Sequence, residues 1–333
     1  MSSSNGIYVI AEIASAHEGQ AAFAKRLAAL AAQTGADAVK LQIFRRDRLI
    51  SRIHPKHASF GEIELSDAEW REVLAEAKAL PADLIIEVYD EASLELAETA
   101  VAAAAYKIPT SDLSNYPFLR HLATTGKRLY LGVGGATRAE IRGAVETLRR
   151  AGAEDLVLLH GIQSFPTKLE DSQLAFIHEL RLEYGLPVGY ADHVDAEDRE
   201  MARLLPAMAV AAGASVIEKH ITDDRSRKGR DHYSSLNPDE FADFVRLMRL
   251  LPSVMGTPVE ALSEAETTYR HLMKRQAVAH EDLSAGTAVG PDQVSFKRTN
   301  QAGLTPLDME HYYGRVLRVA KAVDDPLTPE DFQ

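Results

Sequence analysis

Two histidines each follow a short apolar run: His193 in "GYADH" and His220 in "VIEKHIT". If the runs are neighbouring strands, the two rings lie about 5 Å apart and can converge on one divalent cation. Neutral imidazole with nearby carboxylate suits Mn²⁺, Fe²⁺, Co²⁺ or Zn²⁺, and Glu12 or Asp231 could complete the shell. The structural alternative is that each histidine only caps its strand by hydrogen bonding. Lys40 ("AVKLQIF") and Lys107 ("AYKIPT") sit inside apolar runs. A lysine turned inward needs an anionic partner, either an internal carboxylate (Glu12, Glu87 or Glu218) or the phosphate or carboxylate of a ligand. Two further features bear on anion binding. "RSRKGR" (225–230) is a basic run in an acidic chain, and "GVGG" (132–135) could present backbone N–H groups to a phosphate.

Something must bring these groups together. Eight continuous apolar runs recur: 8–14, 38–44, 84–90, 105–110, 128–134, 156–162, 187–192 and 215–221. Continuous rather than alternating runs are expected of parallel strands covered on both faces. Between them, stretches such as 21–36, 66–80 and 137–153 repeat apolar residues at three and four. Ser66, Thr137 and Asp195 stand at N-cap positions. The pattern predicts an α/β fold, a (β/α)8 TIM barrel over 1–255. The competing arrangement is a doubly wound open sheet, but no G-x-G-x-x-G follows the first run. A linker over 256–275 leads to a small β-rich domain over 276–333, where turn residues interrupt short strands.

In such a barrel the strand ends form one polar mouth. This places Glu12, Lys40, Gln42, Glu87, Tyr89, Asp90, Lys107, Thr110, Asp112, His160, Gln163, His193, Glu218, Lys219 and His220 around a shared centre. The chain has no cysteine, which excludes disulfides and thiolate metal sites. Its 49 acidic residues against 37 basic ones argue against a nucleic-acid surface. No long apolar segment or basic leader is visible, so no membrane contact and a cytoplasmic location are expected.

"YVIAEIASAHEGQ", "GADAVKLQIF", "AYKIPTSDLSNYPFL", "LLHGIQSFPT", "GYADH" and "IEKHITDDRSRKGRDHYSS" resemble the N-acetylneuraminate (sialic acid) synthase family. "VAHEDLSAGTAV", "VSFKRTNQAGLTP" and "DPLTPEDF" resemble its C-terminal antifreeze-like (SAF, β-clip) domain. The resemblance implies a barrel followed by a SAF domain in a domain-swapped homodimer. It also implies an enzyme that condenses phosphoenolpyruvate with an N-acylated hexosamine and releases phosphate, using Mn²⁺ or Mg²⁺. Carried over residue by residue, it assigns the metal to His193 and His220. Catalytic or metal-water acids fall on Glu12 and Asp231, and a sugar-contacting acid on Asp112. Phosphoenolpyruvate contacts fall on Lys40, Lys107 and Thr110, and Arg298 is the SAF arginine that reaches a partner's site.

The departures are equally specific. The family's "STPF" is "EVYD", which puts Glu87 where a ligand-binding Thr is usual. "STGM" is "GVGG", giving Gly132 and Val133. The usual Asn after the sixth run is Gln163, and the Ser of "SDH" is Ala191. A carboxylate at Glu87 repels a phosphate unless it turns away or pairs with Lys107. Two other readings follow. One is a metal-dependent carbon–carbon lyase or aldolase on the same scaffold, using a non-phosphorylated keto acid. The other is a non-catalytic sugar-binding protein, which would not need to keep acids, lysines and histidines together.

Overall fold

The computed structural model describes residues 6–256 and 261–333. They form two compact units, Met1–Gly256 and Thr257–Gln333. In the first, eight parallel strands run in sequence order: β1 Tyr8–Glu12, β2 Ala38–Ile43, β3 Asp83–Val88, β4 Ala105–Ile108, β5 Arg128–Gly132, β6 Leu156–His160, β7 Val188–Asp192 and β8 Val216–Ile221. Strand β8 pairs with β1, Tyr8 opposite Val216 and Glu12 opposite His220, so the sheet closes. Closure leaves no edge between β1 and β8 and sets aside the open-sheet alternative. A two-residue strand, Ser235–Leu236, adds beside the end of β8.

Each strand has two faces, because side chains alternate. Val9, Val39, Leu41, Ile86, Leu129, Leu158 and Ile217 face outward into the apolar layer beneath the helices. Ile10, Ala38, Ile85, Ala105, Tyr130, Val157 and Val216 fill the interior as a separate apolar cluster. Two residues further along, the same inner face carries Glu12, Lys40, Glu87, Lys107, Gly132 and Glu218. The interior is thus stacked, apolar below and ionic above, as strand periodicity requires.

Helices Ala21–Gln33, Asp67–Ala77 and Arg138–Arg150 occupy the expected stretches. Ser66 and Thr137 each close a capping box with the Glu three residues on. Asp195 is different. Its carboxylate accepts from the Glu197 N–H at 2.9 Å inside a turn, and the helix begins only at Met201. A short polar side chain that bonds two residues on makes a turn as readily as a cap.

In the second unit, Arg275–Ala279 pairs antiparallel with Val294–Arg298. Ala277, Leu283, Val289, Leu304, Leu317 and Phe332 form a separate small core there. Of the linker expected over 256–275, residues 257–260 lie outside the described residues. Glu264–Met273 is a helix capped by Ser263.

Candidate active site

His220 is the third inward residue of β8, after Val216 and Glu218, and His193 directly follows β7. Their ring centroids are 5.3 Å apart, with the Phe165 ring 4.5 Å from His193 and 6.0 Å from His220. The His193 Nδ1–H donates to the Ile162 carbonyl at 2.9 Å, which fixes the tautomer and leaves Nε2 as the lone-pair nitrogen. That is the capping bond of the structural alternative, and it is also how a metal-binding imidazole is commonly oriented. His220 Nδ1 is buried without a partner among the described residues. Burial pushes the pKa of His193 down to about 4. It holds that of His220 well below the usual range too, with the neighbouring His193 adding to the effect. Both rings are therefore neutral at pH 7, the form that binds a metal.

The expected third ligand is not in place. Among the described residues, no group of three or more His, Asp or Glu is arranged to hold a metal ion. Glu12 is committed elsewhere: Oε1 accepts the Ala14 N–H at 2.6 Å and Oε2 pairs with Lys40. Asp231 Oδ2 accepts the Ser15 N–H at 3.0 Å. Burial raises the Asp231 pKa despite that bond, so this carboxyl holds a proton more readily than an exposed one.

Below the histidines lies a closed ionic cluster. Lys40 Nζ, fully buried, contacts Glu12, Glu87 Oε2 at 3.1 Å and Glu218 Oε2 at 2.8 Å. Lys107 Nζ contacts Glu218 Oε1 at 3.1 Å and Glu87 Oε2 at 3.4 Å. The internal-partner alternative for the two lysines is thus realised. Register explains why: Glu87 lies opposite Lys107 on β4 and Gln42 on β2, and Glu12 lies opposite Lys40. Burial alone would raise the carboxyls of Glu87 and Glu218. The lysines outweigh it and hold both below the ordinary range. Burial pulls the Lys40 ammonium down, whereas around Lys107 the two carboxylates prevail and raise it.

A cavity of about 540 Å³ opens over this cluster. Of the sequence-derived residues, Glu12, Glu87, Lys107, Thr110, Gln163, His193, His220 and Asp231 line it. Lys40 is sealed beneath them. Asp112 is not in the wall, because its carboxylate is held in the turn after β4 by the Ser111 hydroxyl at 2.9 Å and the Asn115 amide at 3.1 Å. Arg298 is exposed at the end of its strand in the other unit. Two residues expected at the mouth face away from it. His160 packs against Phe176 and donates from Nε2 to the Ser172 carbonyl at 2.9 Å. Lys219 forms a fully buried pair with Asp192 at 2.5 Å in the outer layer. One step along a strand reverses a side chain, and both residues fall on the wrong parity.

The basic run does not overhang the cavity. Arg225 is buried on Glu240, Glu197 at 3.0 Å and the Ser235 carbonyl at 3.1 Å. Arg227 pairs with Asp223, and Arg230 with Glu62 at 3.1 Å. None of the three lines the cavity. The glycine segment does reach it: Gly134 and Gly135 are in the wall, Gly135 at φ +82°. A Cβ on Gly134 would stand 1.5 Å from the Gly161 carbonyl oxygen, so only glycine fits. Thr110 Oγ1, next to Gly132 at the start of the same segment, is buried and unpartnered among the described residues. Sequence reasoning underrated Glu218, which bridges both lysines. Its signal was parity, since Val216, Glu218 and His220 share one face. Tyr89, Ser15 and Phe165 also line the cavity, and Phe165 had no distinguishing signal.

Comparison with known proteins agrees with this geometry. The NeuB family profile matches residues 27–260, and the SAF domain profile matches 274–333. An uncharacterized protein of Methanocaldococcus jannaschii is 32% identical over 97% of this chain and 94% of its own length. The N,N'-diacetyllegionaminic acid synthase of Legionella pneumophila is 29% identical over 94% and 90%. The crystal structure of the N-acetylneuraminic acid synthetase from Leptospira borgpetersenii, in complex with citrate, superposes with a TM-score of 0.73. It is 26% identical, covering 80% of this chain and 92% of that one. The protein is thus an enzyme, a transferase that forms a carbon–carbon bond, and its chain belongs to the NeuB family, with a SAF domain following the barrel.

Proposed function

We propose that the enzyme condenses phosphoenolpyruvate with an aldose of the N-acylhexosamine type. The products are a 3-deoxy-2-keto sugar acid of the nonulosonate type and inorganic phosphate. The observation that carries this reading is one cavity lined by two neutral imidazoles, His193 and His220, and by Lys107, with Lys40 buried in the ionic cluster beneath it. The named activities of similar proteins, such as the Legionella pneumophila synthase, point the same way.

His193 Nε2 and His220 would hold a divalent metal. The unpartnered His220 Nδ1 and the low pKa of both rings fit such a group, and imidazole ligation favours Mn²⁺ over Mg²⁺. When bound, the metal supplies Lewis-acid polarisation of the acceptor aldehyde. The chain's own residues supply the rest. Lys107, in the cavity wall, faces the donor's anionic groups, and Lys40 supports it from beneath. The enol C3 bonds to the aldehyde carbon, water adds at C2, and phosphate leaves. Asp231, biased toward its protonated form, would move the protons of the aldehyde oxygen and the water, and Glu12, also in the cavity wall, would assist once its pair with Lys40 loosens. Thr110 and Gln163 offer polar contacts in the wall, and Asp112, in the same short helix as Thr110, would reach the sugar only by leaving Ser111 and Asn115. Arg298 of a partner subunit completes the site in a domain-swapped homodimer. Among the described residues no helix is long and apolar enough to cross a membrane. A phosphoenolpyruvate-consuming enzyme of this kind works in the cytoplasm.

The test is phosphate release from phosphoenolpyruvate across a panel of N-acylated hexosamines and hexosamine phosphates, with and without Mn²⁺. Release that needs donor, acceptor and metal together is expected. No release with any acceptor refutes the reading. One observation favours a second reading, a lyase or aldolase acting on a non-phosphorylated keto acid: Glu87 and Glu218 already neutralise the lysines. Calorimetry with pyruvate against phosphoenolpyruvate separates the two. Tighter binding of pyruvate supports the second.

A further inference from the structure

Glu87 receives an unusual share of the cluster's donors. Its Oε2 is 3.1 Å from Lys40 Nζ, 3.4 Å from Lys107 Nζ and 3.1 Å from Gln42 Nε2. Two ammonium groups and an amide N–H around one buried oxygen make a seat for an anionic oxygen, and a protein carboxylate fills it. The seat is set by the backbone. Gln42, Glu87 and Lys107 are direct register partners across β2, β3 and β4, and Lys40 is one inward step below Gln42. Glu87 also lines the cavity, so the filled seat lies where a donor would bind.

The charges show what this costs a ligand. Two lysines face three carboxylates, Glu12, Glu87 and Glu218, so the cluster is one charge negative before any ligand enters. No other basic side chain offsets this at the cavity, because Lys107 is the sole Lys or Arg in its wall among the described residues. Resting on the donor assignment above, we propose that Glu87 determines donor specificity: its carboxylate occupies the lysine seat that an anionic oxygen of the donor would otherwise take. Donor binding is then an exchange. Glu87 must leave Lys107 before the donor reaches it, and the donor gains only the difference between two similar contacts. The residue sets a low affinity for highly charged donors, and a neutral side chain there opens the seat.

The test is Glu87→Gln, which keeps the shape and an acceptor oxygen and removes the charge. Inorganic phosphate is the first probe, by calorimetry. Its affinity rises about tenfold or more in the variant, as expected for removing one like charge within a few ångströms in a poorly screened site. With phosphoenolpyruvate, KM falls by a similar factor while kcat changes far less, and Glu87→Thr behaves alike. Unchanged or weaker phosphate affinity in both variants overturns the proposal. If neither variant folds, the wild type decides. A crystal soaked with phosphoenolpyruvate shows Glu87 swung off Lys107 if the proposal holds, and a bound donor with Glu87 still on both lysines overturns it. Failure here is separable from failure of the donor assignment. Phosphate tightening in an enzyme that turns over no phosphoenolpyruvate sinks only that assignment. Turnover with unaltered affinity in Glu87→Gln sinks only the role of Glu87.

Discussion

Lys40→Met is the sharpest test of the ionic layer. Methionine replaces the stem volume and removes the charge. Lys40 Nζ lies 2.8 Å from Glu218 and 3.1 Å from Glu87, and it also pairs with Glu12. A unit pair about 3 Å apart at an effective dielectric of about 20 gains about 5 kcal/mol. Much of the summed gain is offset by the desolvation of a fully buried ammonium, which the variant no longer bears. The net loss expected for stranding buried carboxylates is about 3–5 kcal/mol at neutral pH. The pH dependence sharpens this. In the wild type, Glu87 and Glu218 have folded-state pKa values below the ordinary range. Their contribution is complete above that range and is lost as pH falls through the folded values. Without Lys40, burial weighs more and these carboxyls move up, so the variant loses stability as pH rises. The gap is therefore wide at pH 7.5 and narrow near pH 4.5. The chain has one tryptophan, Trp70, buried in the barrel, so its fluorescence during urea unfolding reports on that unit. A gap below about 1 kcal/mol, or one equal at both pH values, would refute the account of the cluster.

Asp192→Ala strands Lys219 in the outer apolar layer, where both partners are fully buried. It should cost about 3–5 kcal/mol by the same urea assay, and adding Lys219→Met should restore most of it. A double variant as unstable as the single one argues against the pair. His193→Ala and His220→Ala should each lower Mn²⁺ affinity at least about tenfold by calorimetry, with the urea midpoint little moved. Unchanged Mn²⁺ binding in either variant removes that histidine from the metal site.

The barrel was legible because its strands are buried on both faces. "YVIAEIA" and "AVKLQIF" read as continuous apolar runs, and the glutamates and lysines within them stand out against that background. The pairing of His193 with His220 was legible for the same reason, since consecutive strands are neighbours in a closed parallel sheet. Side-chain direction at strand ends was less so. His160 and Lys219 lie one step from the inward parity, and an apolar run with polar residues on both sides does not announce which way it faces. Loop contacts were illegible. The arginines of "RSRKGR" find Asp223, Glu240 and Glu62, of which only Asp223 is near in sequence, and Asp112 turns to Ser111 and Asn115.

The sequence by itself determined the composition of the site: which residues carry charge, which carry imidazole, and that they lie at the ends of successive strands. Those are properties of residue type and of period two, both local. The tertiary structure alone decided how the charges are spent. Closing β1 onto β8 and stacking β2, β3 and β4 in register brings Lys40 and Lys107 onto Glu12, Glu87 and Glu218. Whether a buried lysine awaits a ligand or already holds a carboxylate depends on distances of a few ångströms between residues as distant in sequence as Lys40 and Glu218. Coulomb energy in a poorly screened interior is steep over that range, so the answer comes from the fold.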